Sequence, residues 1–381
     1  MSETRLLPAR LYHDQAAFDA EQEAVFERTW QVIGHVSDLP NPGSYIAQKV
    51  GRYEVMVVRG ENGELNGIRN ACRHRGAVLG TGRGAFETKG IRCPYHGWTY
   101  RYDGSFLAAP EARSFDCLDR AGLGLPKIQV DSLMGLVFVN LDLAATPLGE
   151  QLAGLEELAG RYLKGPVEQF GPGLGVHAWD PKWDQGSNWK VLIDNYLEGY
   201  HVPTAHPGLT RLYQYQKYTA TPHPGFTFFE APLRDEPSGN RVERAYQKLV
   251  RPMPGLSEQD ARVWRYALIY PNTMLDLYPD QVNVWRIVPE SPNLSHICMS
   301  QYRAAGSGVR TKVVQRLNIA INNMVTEEDE GVVVRVQRGS ANPGFEFGPL
   351  SSREVAVGWF ADRLRESLAD TGLLGHDVSR T

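Results

Sequence analysis

The amino-acid sequence predicts an α+β protein, in which an all-β N-terminal domain precedes a larger domain that combines an antiparallel sheet with flanking helices. Short β-rich runs separated by Gly and Asn fill residues 43–142, and a second series of strands and turns occupies residues 264–304. Helical periodicity then runs from Val309 to Arg338 and from Arg353 to Leu368. Strand-rich stretches followed by helical stretches are typical of α+β folds.

Composition limits the classes of function. A chain of 381 residues with 42% hydrophobic and 22% charged residues has room for two or three domains, each with its own core. The net charge of −4 gives no basic surface for nucleic acid or anionic lipid. Because no window approaches the ~20 apolar residues of a membrane span and the N-terminus has no apolar leader, we expect a cytoplasmic protein.

The first element that we predict is an amphipathic helix over residues 14–33. Five apolar side chains recur there at helical spacing, namely Phe18, Val25, Phe26, Trp30 and Ile33. We expect this N-terminal segment, residues 1–39, to pack on the larger domain.

A β-rich domain is predicted over residues 40–148. GENGEL is a hairpin signal, Asp103-Gly104 is a tight turn, and a last buried strand is predicted near residues 134–142. The stretch 143–150 is typical of a linker, so the second domain is expected over 149–381, with a helix at 151–163.

Two short clusters within the β-rich domain combine cysteine with histidine. Cys72 and His74 form the first cluster, and Cys93 and His96 form the second after a gap of eighteen residues. A structural zinc site usually pairs two Cys before a second pair of ligands, so a zinc knuckle is the weaker interpretation. In a Rieske centre two Cys hold one iron and two His hold the other, which two mixed loops supply.

The pattern C-x-H followed by C-P-Y-H-G-W resembles the Rieske ferredoxin and oxygenase families. The resemblance implies a [2Fe-2S] cluster bound by Cys72, His74, Cys93 and His96. The other two cysteines, Cys117 and Cys298, are far apart in the sequence and are predicted to be small buried side chains in a reducing compartment.

A second constellation lies at residues 188–209, where Glu198 is followed by His201 and His206. We expect Pro203 to disfavour helix at the preceding residue, so that an irregular loop turns His206 toward His201. Two imidazoles and one carboxylate on one side of a ferrous ion form the facial triad of non-haem iron oxygenases.

The Rieske pattern together with D-N-x-L-E-x-Y-H-x4-H resembles the α-subunits of Rieske non-haem iron ring-hydroxylating oxygenases over nearly the whole chain. The resemblance implies a mononuclear Fe(II) held by His201, His206 and Asp329, because Asp329 stands in the E-D-x7-Q-x-G setting of the family's third ligand. Glu327 and Glu328 are the competing assignments.

The resemblance also implies the assembly and the partners. Glu198 occupies the family's bridging position, where a carboxylate would link His96 of one subunit to His201 of the next. A homotrimer is therefore expected. Electrons would come from NAD(P)H through a separate reductase, with or without a ferredoxin, and O2 and a small organic molecule would be the substrates.

The bridging Glu198 is similar to that of carnitine, betaine and choline oxygenases and favours a quaternary ammonium substrate, with oxidative N-demethylation as one outcome. An aromatic cage would hold such a cation, and the candidates are Trp179, Trp183, Tyr213, Tyr215, Phe226, Phe228, Phe229, Tyr270, Tyr278 and Trp285. The alternative is an aromatic-ring or aromatic-acid hydroxylase, with Arg211 as the carboxylate anchor. A Rieske electron carrier without oxygenase activity is disfavoured, because it needs only the N-terminal third of the chain.

Overall fold

The chain divides into two units in the computed structural model, which describes residues 5–173 and 184–374. Of the described residues, 26–150 form one unit, and 5–25, 151–173 and 184–374 form the other. The strand-rich unit therefore ends near the predicted linker. Its beginning differs from the expected boundary at residue 40, so the predicted segment 1–39 is shared between the two units.

The predicted helix over residues 14–33 is much shorter in the structure. Helix α1 spans Gln15–Glu21 and begins at Asp14, whose side chain accepts a hydrogen bond from the Ala16 backbone N–H. A single π-helical turn follows at Gln22–Phe26, and strand β1 occupies Gln31–His35. All five residues of β1 are buried, so the alternation that would have identified a strand is absent from the sequence.

The N-terminal unit is all-β, as predicted. Its ten strands form three antiparallel sheets with the orders β1-β10-β9, β4-β3-β2-β5 and β6-β7-β8. The strands after β1 are β2 Ser44–Val50, β3 Tyr53–Arg59, β4 Leu65–Arg69, β5 Gly82–Ala85, β6 Ile91–Arg92, β7 Thr99–Tyr100, β8 Phe106–Ala108, β9 Gln129–Leu133 and β10 Leu136–Asn140.

Two apolar clusters form the core of this unit. In one, Val55 and Val57 of β3 pack with Val137 and Val139 of β10. The other includes Cys72 and Cys93 among buried aliphatic and aromatic side chains. Two of the four candidate cluster ligands, Cys72 and Cys93, are thus part of a hydrophobic core.

The second unit is built on an eight-stranded antiparallel sheet with the order β11-β18-β17-β16-β15-β14-β13, in which β12 also pairs with β18. Its strands are β11 Val167–Gly173, β12 Asp184–Gln185, β13 Thr219–Pro222, β14 Phe226–Pro232, β15 Val263–Ile269, β16 Thr273–Leu277, β17 Val282–Ser291 and β18 Leu294–Ala304. The strands β15–β18 confirm the series predicted at 264–304.

Helices flank this sheet, as the fold class requires. They are α2 Leu148–Gln151, α3 Leu155–Ala159, α4 Trp189–Tyr196, α5 Val202–Ala205, α6 Pro207–Leu212, α7 Arg241–Leu249, α8 Val309–Ser340 and α9 Val355–Leu368. The long α8 packs against α4, α5, α6 and α7. The helix predicted at 151–163 is instead interrupted at Gly154, which has a positive φ of 88°. Within the described ranges, no helix combines the length and apolarity needed to cross a membrane.

Candidate active site

The first cluster of candidate ligands lies on two tight loops of the N-terminal unit. Cys72 and His74 follow β4, and Cys93 and His96 lie between β6 and β7. In each loop the cysteine carbonyl accepts a backbone N–H four residues later, from Gly76 at 2.9 Å and from Gly97 at 3.1 Å. Both glycines have positive φ, 74° and 72°, a conformation that L-residues with a side chain rarely adopt.

The four side chains form an imidazole pair and a thiol pair. The Nδ1 atoms of His74 and His96 are 3.2 Å apart. Two bonds of about 2.1 Å to one metal ion at right angles separate the ligand atoms by about 3 Å, so both imidazoles can bind the same iron through Nδ1. Cys72 and Cys93 are each 3% exposed, and burial raises the pKa of the Cys72 thiol. The donor set fits a Rieske cluster, in which thiolates and imidazoles bind different irons.

Aromatic side chains enclose this cluster on one side. The Trp98 ring stacks on His74 with centroids 4.8 Å apart and planes inclined by 9°. The Tyr100 hydroxyl lies 3.2 Å from Cys72 Sγ and accepts the Arg73 backbone N–H at 3.0 Å. Tyr95, beside His96, is 59% exposed. The histidine pair therefore lies closer to the surface of this unit than the cysteine pair.

The second cluster is assembled from two places in the second unit. His201 immediately precedes α5, His206 separates α5 from α6, and Asp329 lies on α8. The prediction that Pro203 breaks the helix at Val202 is wrong, because both residues lie within α5. The break comes at His206, with φ −119° and ψ 82°, since the following Pro207 disfavours helical geometry in the residue before it.

Three atoms of this cluster converge as metal ligands would. His206 Nε2 lies 3.1 Å from His201 Nε2 and 3.0 Å from Asp329 Oδ1, and His201 Nε2 lies 3.7 Å from the same oxygen. Two of these separations match the spacing of about 3 Å expected for ligands on one face of a single ion, and the third is somewhat wider. Two imidazoles and a carboxylate at this spacing can hold Fe(II) and leave its other face open.

Further carboxylates hold the outer nitrogens of both imidazoles. Glu198 pairs with His201 Nδ1 and accepts the His201 backbone N–H at 3.1 Å. Glu328 Oε2 lies 2.7 Å from His206 Nδ1. Burial lowers the pKa of His206, but Asp329 and Glu328 outweigh that effect and raise it. Each imidazole is thus fixed in the tautomer that presents its Nε2 lone pair to a metal.

The three acidic residues that compete for the third ligand position have different surroundings. Asp329 faces both Nε2 atoms and accepts Asn195 Nδ2 at 2.9 Å, while Glu328 contacts the opposite nitrogen of His206. Glu327 is exposed. Sequence reasoning did not identify Asn195 and Glu328 as supports of the site. Asn195 stands within the quoted D-N-x-L-E run, whereas Glu328 gave no signal beyond its place beside Asp329.

The candidate ligands open into a cavity of about 190 Å³ between the sheet and the helices. Helices α4, α5, α6 and α8 supply one wall. The opposite wall is one face of β15–β18 and the turn after β16, with Tyr266, Met274, Asp276, Tyr278, Trp285 and Ile297. Six aromatic residues line the cavity in total, since Tyr196, Tyr213 and Tyr218 join three of these.

This wall corrects several aromatic predictions. Of the predicted cage residues, three line the cavity: Tyr213, Tyr278 and Trp285. Among the described residues, five other predicted cage residues do not line it: Tyr215, Phe226, Phe228, Phe229 and Tyr270. Trp179 and Trp183 lie outside the described residues. The lining tyrosines Tyr196, Tyr218 and Tyr266 were missed, because helical or strand periodicity alone does not distinguish a cavity wall from a packed core.

Two other predictions are wrong. Arg211 does not serve as a free carboxylate anchor, because its guanidinium pairs with Glu243, with Nε 3.0 Å from Oε2. Cys117 is exposed rather than buried, whereas Cys298 is buried as expected. The Arg211–Glu243 ion pair joins residues 32 positions apart, so no local sequence pattern predicts it.

Comparison with known proteins agrees with this geometry. Residues 29–127 match the family described as "Rieske [2Fe-2S] domain", and residues 175–370 match "Ring hydroxylating alpha subunit (catalytic domain)". The carnitine monooxygenase oxygenase subunit of Acinetobacter baumannii is 28% identical over 89% of this chain and 86% of its own length. The chloroplastic choline monooxygenase of Spinacia oleracea is 30% identical over 90% of this chain and 73% of its own length.

Solved structures share the fold. The quaternary ammonium Rieske monooxygenase CntA in complex with L-carnitine superimposes with a TM-score of 0.76 at 24% identity, covering 96% of both chains. Naphthalene 1,2-dioxygenase with bound indole gives a TM-score of 0.73 at 20% identity, covering 97% of this chain and 94% of the other.

Proposed function

Because the chain belongs to the family of Rieske non-haem iron ring-hydroxylating oxygenase α-subunits, we propose that it is the oxygenase subunit of a monooxygenase acting on a quaternary ammonium compound. The family membership makes it an oxidoreductase that incorporates oxygen from O2 and works with a separate reductase. Its cofactors are a Rieske [2Fe-2S] cluster and a mononuclear iron. The identity of the substrate is the part that is proposed.

We assign the metal ligands from the two constellations. Cys72 and Cys93 would hold one iron of the cluster, and His74 and His96 the other; the 3.2 Å between the imidazole Nδ1 atoms supports this. His201, His206 and Asp329 would hold the mononuclear iron. That assignment rests on three ligand atoms within 4.8 Å of one another.

The metal centres, when bound, supply single-electron transfer and activation of O2. The protein's own side chains do the remaining work. Glu198 and Glu328 accept the Nδ1 protons of the ligand imidazoles, which fixes their orientation and raises their basicity. The cavity walls would orient the substrate beside the side chains that hold the iron and limit its contact with water.

The observation that carries the substrate proposal is the aromatic wall of the cavity. Six aromatic rings and the carboxylate of Asp276 line the space beside the ligands. The faces of aromatic rings attract cations. A quaternary ammonium has no N–H to donate, so aromatic faces can hold it where hydrogen bonds cannot. The relatives named as carnitine and choline monooxygenases support the same class. In the proposed reaction, the substrate C–H, O2, two electrons and two protons yield C–OH and water.

Glu198 is also proposed to connect neighbouring subunits in a homotrimer, by accepting a hydrogen bond from His96 of the next copy. Its contact with His201 supplies the half of this link that lies within one chain. We expect Glu198→Gln to retain both metal centres but to slow electron transfer between them at least tenfold, because a neutral amide is a weaker acceptor for both imidazoles. Stopped-flow oxidation of the reduced cluster measures this rate. A trimeric mass in light scattering with an unchanged rate would contradict the bridging role.

A single-turnover reaction tests the proposed function. Iron-loaded, chemically reduced protein is mixed with O2 and a panel of choline, glycine betaine, carnitine and benzoate, and the products are identified by mass. We expect an aldehyde or an N-demethylated product from a quaternary ammonium compound. The His206→Ala variant, with the visible spectrum of its cluster intact, should give none. A hydroxylated arene, with no product from the cations, would show that the substrate class is wrong.

The requirement for NAD(P)H-derived electrons favours a cytoplasmic location.

A further inference from the structure

Asp276 is an acidic residue of the cavity that the iron site does not use. It lies on β16, opposite Tyr266 of β15 and Asn283 of β17 in the register of the sheet. Only 4% of its surface is exposed, yet it contributes to the cavity wall between Met274 and Tyr278. A buried carboxylate on an otherwise aromatic and aliphatic wall calls for a physical explanation.

Three neutral donors hold the carboxylate of Asp276 in place. Tyr196 Oη donates to Oδ1 at 3.1 Å, while Trp285 Nε1 and Asn283 Nδ2 donate to Oδ2 at 2.5 Å and 3.4 Å. Burial raises the pKa of Asp276 to about 6, and these hydrogen bonds oppose the rise. The three donors favour the ionised form of the carboxylate.

The aromatic rings around Asp276 meet one another edge to face. Tyr266 stands nearly perpendicular to Tyr196, with centroids 6.2 Å apart and planes at 89°, and to Tyr278, at 6.0 Å and 90°. Trp285 completes this part of the wall and binds the carboxylate through its indole N–H. One negative charge thus lies among four ring systems that face the same cavity.

We propose that Asp276 is the counter-ion for the ammonium group of the substrate and makes the cavity select a cation over a neutral molecule of the same shape. The proposal rests on the proposed function and specifies how this site would recognise its substrate. A quaternary nitrogen has no N–H to donate, so its counter-ion has to supply a field rather than a hydrogen-bond acceptor. A carboxylate whose oxygens already bind Tyr196 and Trp285 does this, and the field is strong because the wall is buried.

A pair of ligands that differ only in charge tests the proposal. Choline and 3,3-dimethylbutan-1-ol have the same shape, with nitrogen replaced by carbon. Their dissociation constants are measured by calorimetry on the oxidised, metal-loaded protein at pH 7.5, so that turnover plays no part. We expect the native protein to prefer choline, and Asp276→Asn to reduce that preference at least tenfold through weaker choline binding.

Asp280→Asn is the matched control. Asp280 is a second buried aspartate four residues later, and its Oδ1 accepts the Tyr246 hydroxyl at 2.7 Å. The described cavity wall does not include Asp280, so its amide variant should keep the preference for choline. An equal loss in both variants would mean that the effect is structural and would overturn the proposal.

The outcomes separate this inference from the proposed function. If the native protein prefers choline and Asp276→Asn prefers it equally, Asp276 is not the counter-ion, and the quaternary ammonium function stands. If the native protein does not distinguish the two ligands, the counter-ion proposal fails, and the single-turnover panel decides the proposed function separately. The amide of Asp276→Asn can place an NH2 against the Trp285 N–H. If that variant folds poorly, the double variant Asp276→Asn/Trp285→Phe removes this clash. Its preference for choline is then compared with that of Trp285→Phe alone.

Discussion

At the scale of single residues, spacing indicates candidate metal ligands, but it does not indicate the side chains that support them. Cys72, His74, Cys93 and His96 lie in two short loops, and the structure brings the two imidazoles together as the pattern suggested. The neighbours Glu328 and Asp329 are harder to separate, because each contacts a different nitrogen of His206. Which nitrogen faces the metal depends on the path of α8 past the imidazole, and the sequence does not encode that path locally.

Three consecutive acidic residues of α8, Glu327, Glu328 and Asp329, should affect iron binding to different extents. We expect Asp329→Ala to lose the mononuclear iron, because it would remove the proposed third ligand. Glu328→Gln should weaken iron binding by about 10–100-fold, because the amide is a poorer partner for the Nδ1 proton. Glu327→Gln, at the exposed neighbouring position, should have no effect. Bound iron is quantified by metal analysis after dialysis against increasing concentrations of a chelator.

The spectrum of the Rieske cluster is the internal control in that series, because its ligands lie in the other unit and should be unaffected. Stronger loss of iron in Glu327→Gln or Glu328→Gln than in Asp329→Ala would reassign the third ligand.

At the scale of secondary-structure elements, helices with a continuous helical periodicity were predicted well. A segment whose apolar residues suit either a helix or a strand was predicted poorly. The helix expected at 309–338 is α8, Val309–Ser340, and the helix expected at 353–368 is α9, Val355–Leu368. The helix expected at 14–33 fails in its second half, because Trp30 and Ile33 suit a fully buried strand as well as a helix face. That strand forms by pairing with β10, about a hundred residues later, so tertiary contact decides it.

Helix α4, which precedes the iron ligands, is attached to α1 by a buried ion pair. Glu21 Oε1 lies 2.6 Å from Lys190 Nζ, with both side chains fully buried, and Glu21 Oε2 accepts Trp189 Nε1 at 2.8 Å. We expect Glu21→Gln to lower the free energy of unfolding by about 3–5 kcal/mol, because the Lys190 charge would remain buried without its partner. Urea unfolding followed by tryptophan fluorescence measures the change.

Asp19→Asn, an exposed position on the same helix, is the control and should change the free energy of unfolding by less than about 0.5 kcal/mol. A loss for Glu21→Gln no larger than that of the control would mean that the pair contributes no net stability.

At the scale of the whole molecule, buried carboxylic acids make stability depend on pH. Burial raises the pKa of Asp280 to about 7, above the value of 3.8 for an aspartate in the unfolded chain. The folded state therefore holds this proton more tightly than the unfolded state. The contribution of Asp280 to stability is greatest below about pH 4, and it falls as the pH rises toward 7 and levels off above that.

The variant Asp280→Asn removes this ionisation. We expect the free energy of unfolding of the variant, relative to the native protein, to increase between pH 4 and pH 7 and then to stay constant. The slope in that range should approach 1.4 kcal/mol per pH unit. Denaturation curves at four pH values measure it. A difference that does not vary with pH would show that the pKa of Asp280 is the same in the folded and unfolded states.

The long helix α8 is held at two positions, and this extends the iron site well beyond its ligands. Near Asp329, Asn195 of α4 donates to the carboxylate; eight residues later, Gln337 Oε1 accepts the backbone N–H of Asn188, and Gln337 Nε2 donates to the Tyr12 carbonyl. At 1.5 Å per residue the two positions are about 12 Å apart. Together they fix the axial register of α8 against α4. The N-terminal turn at Tyr12 thereby shares in setting the distance between Asp329 and the two histidines.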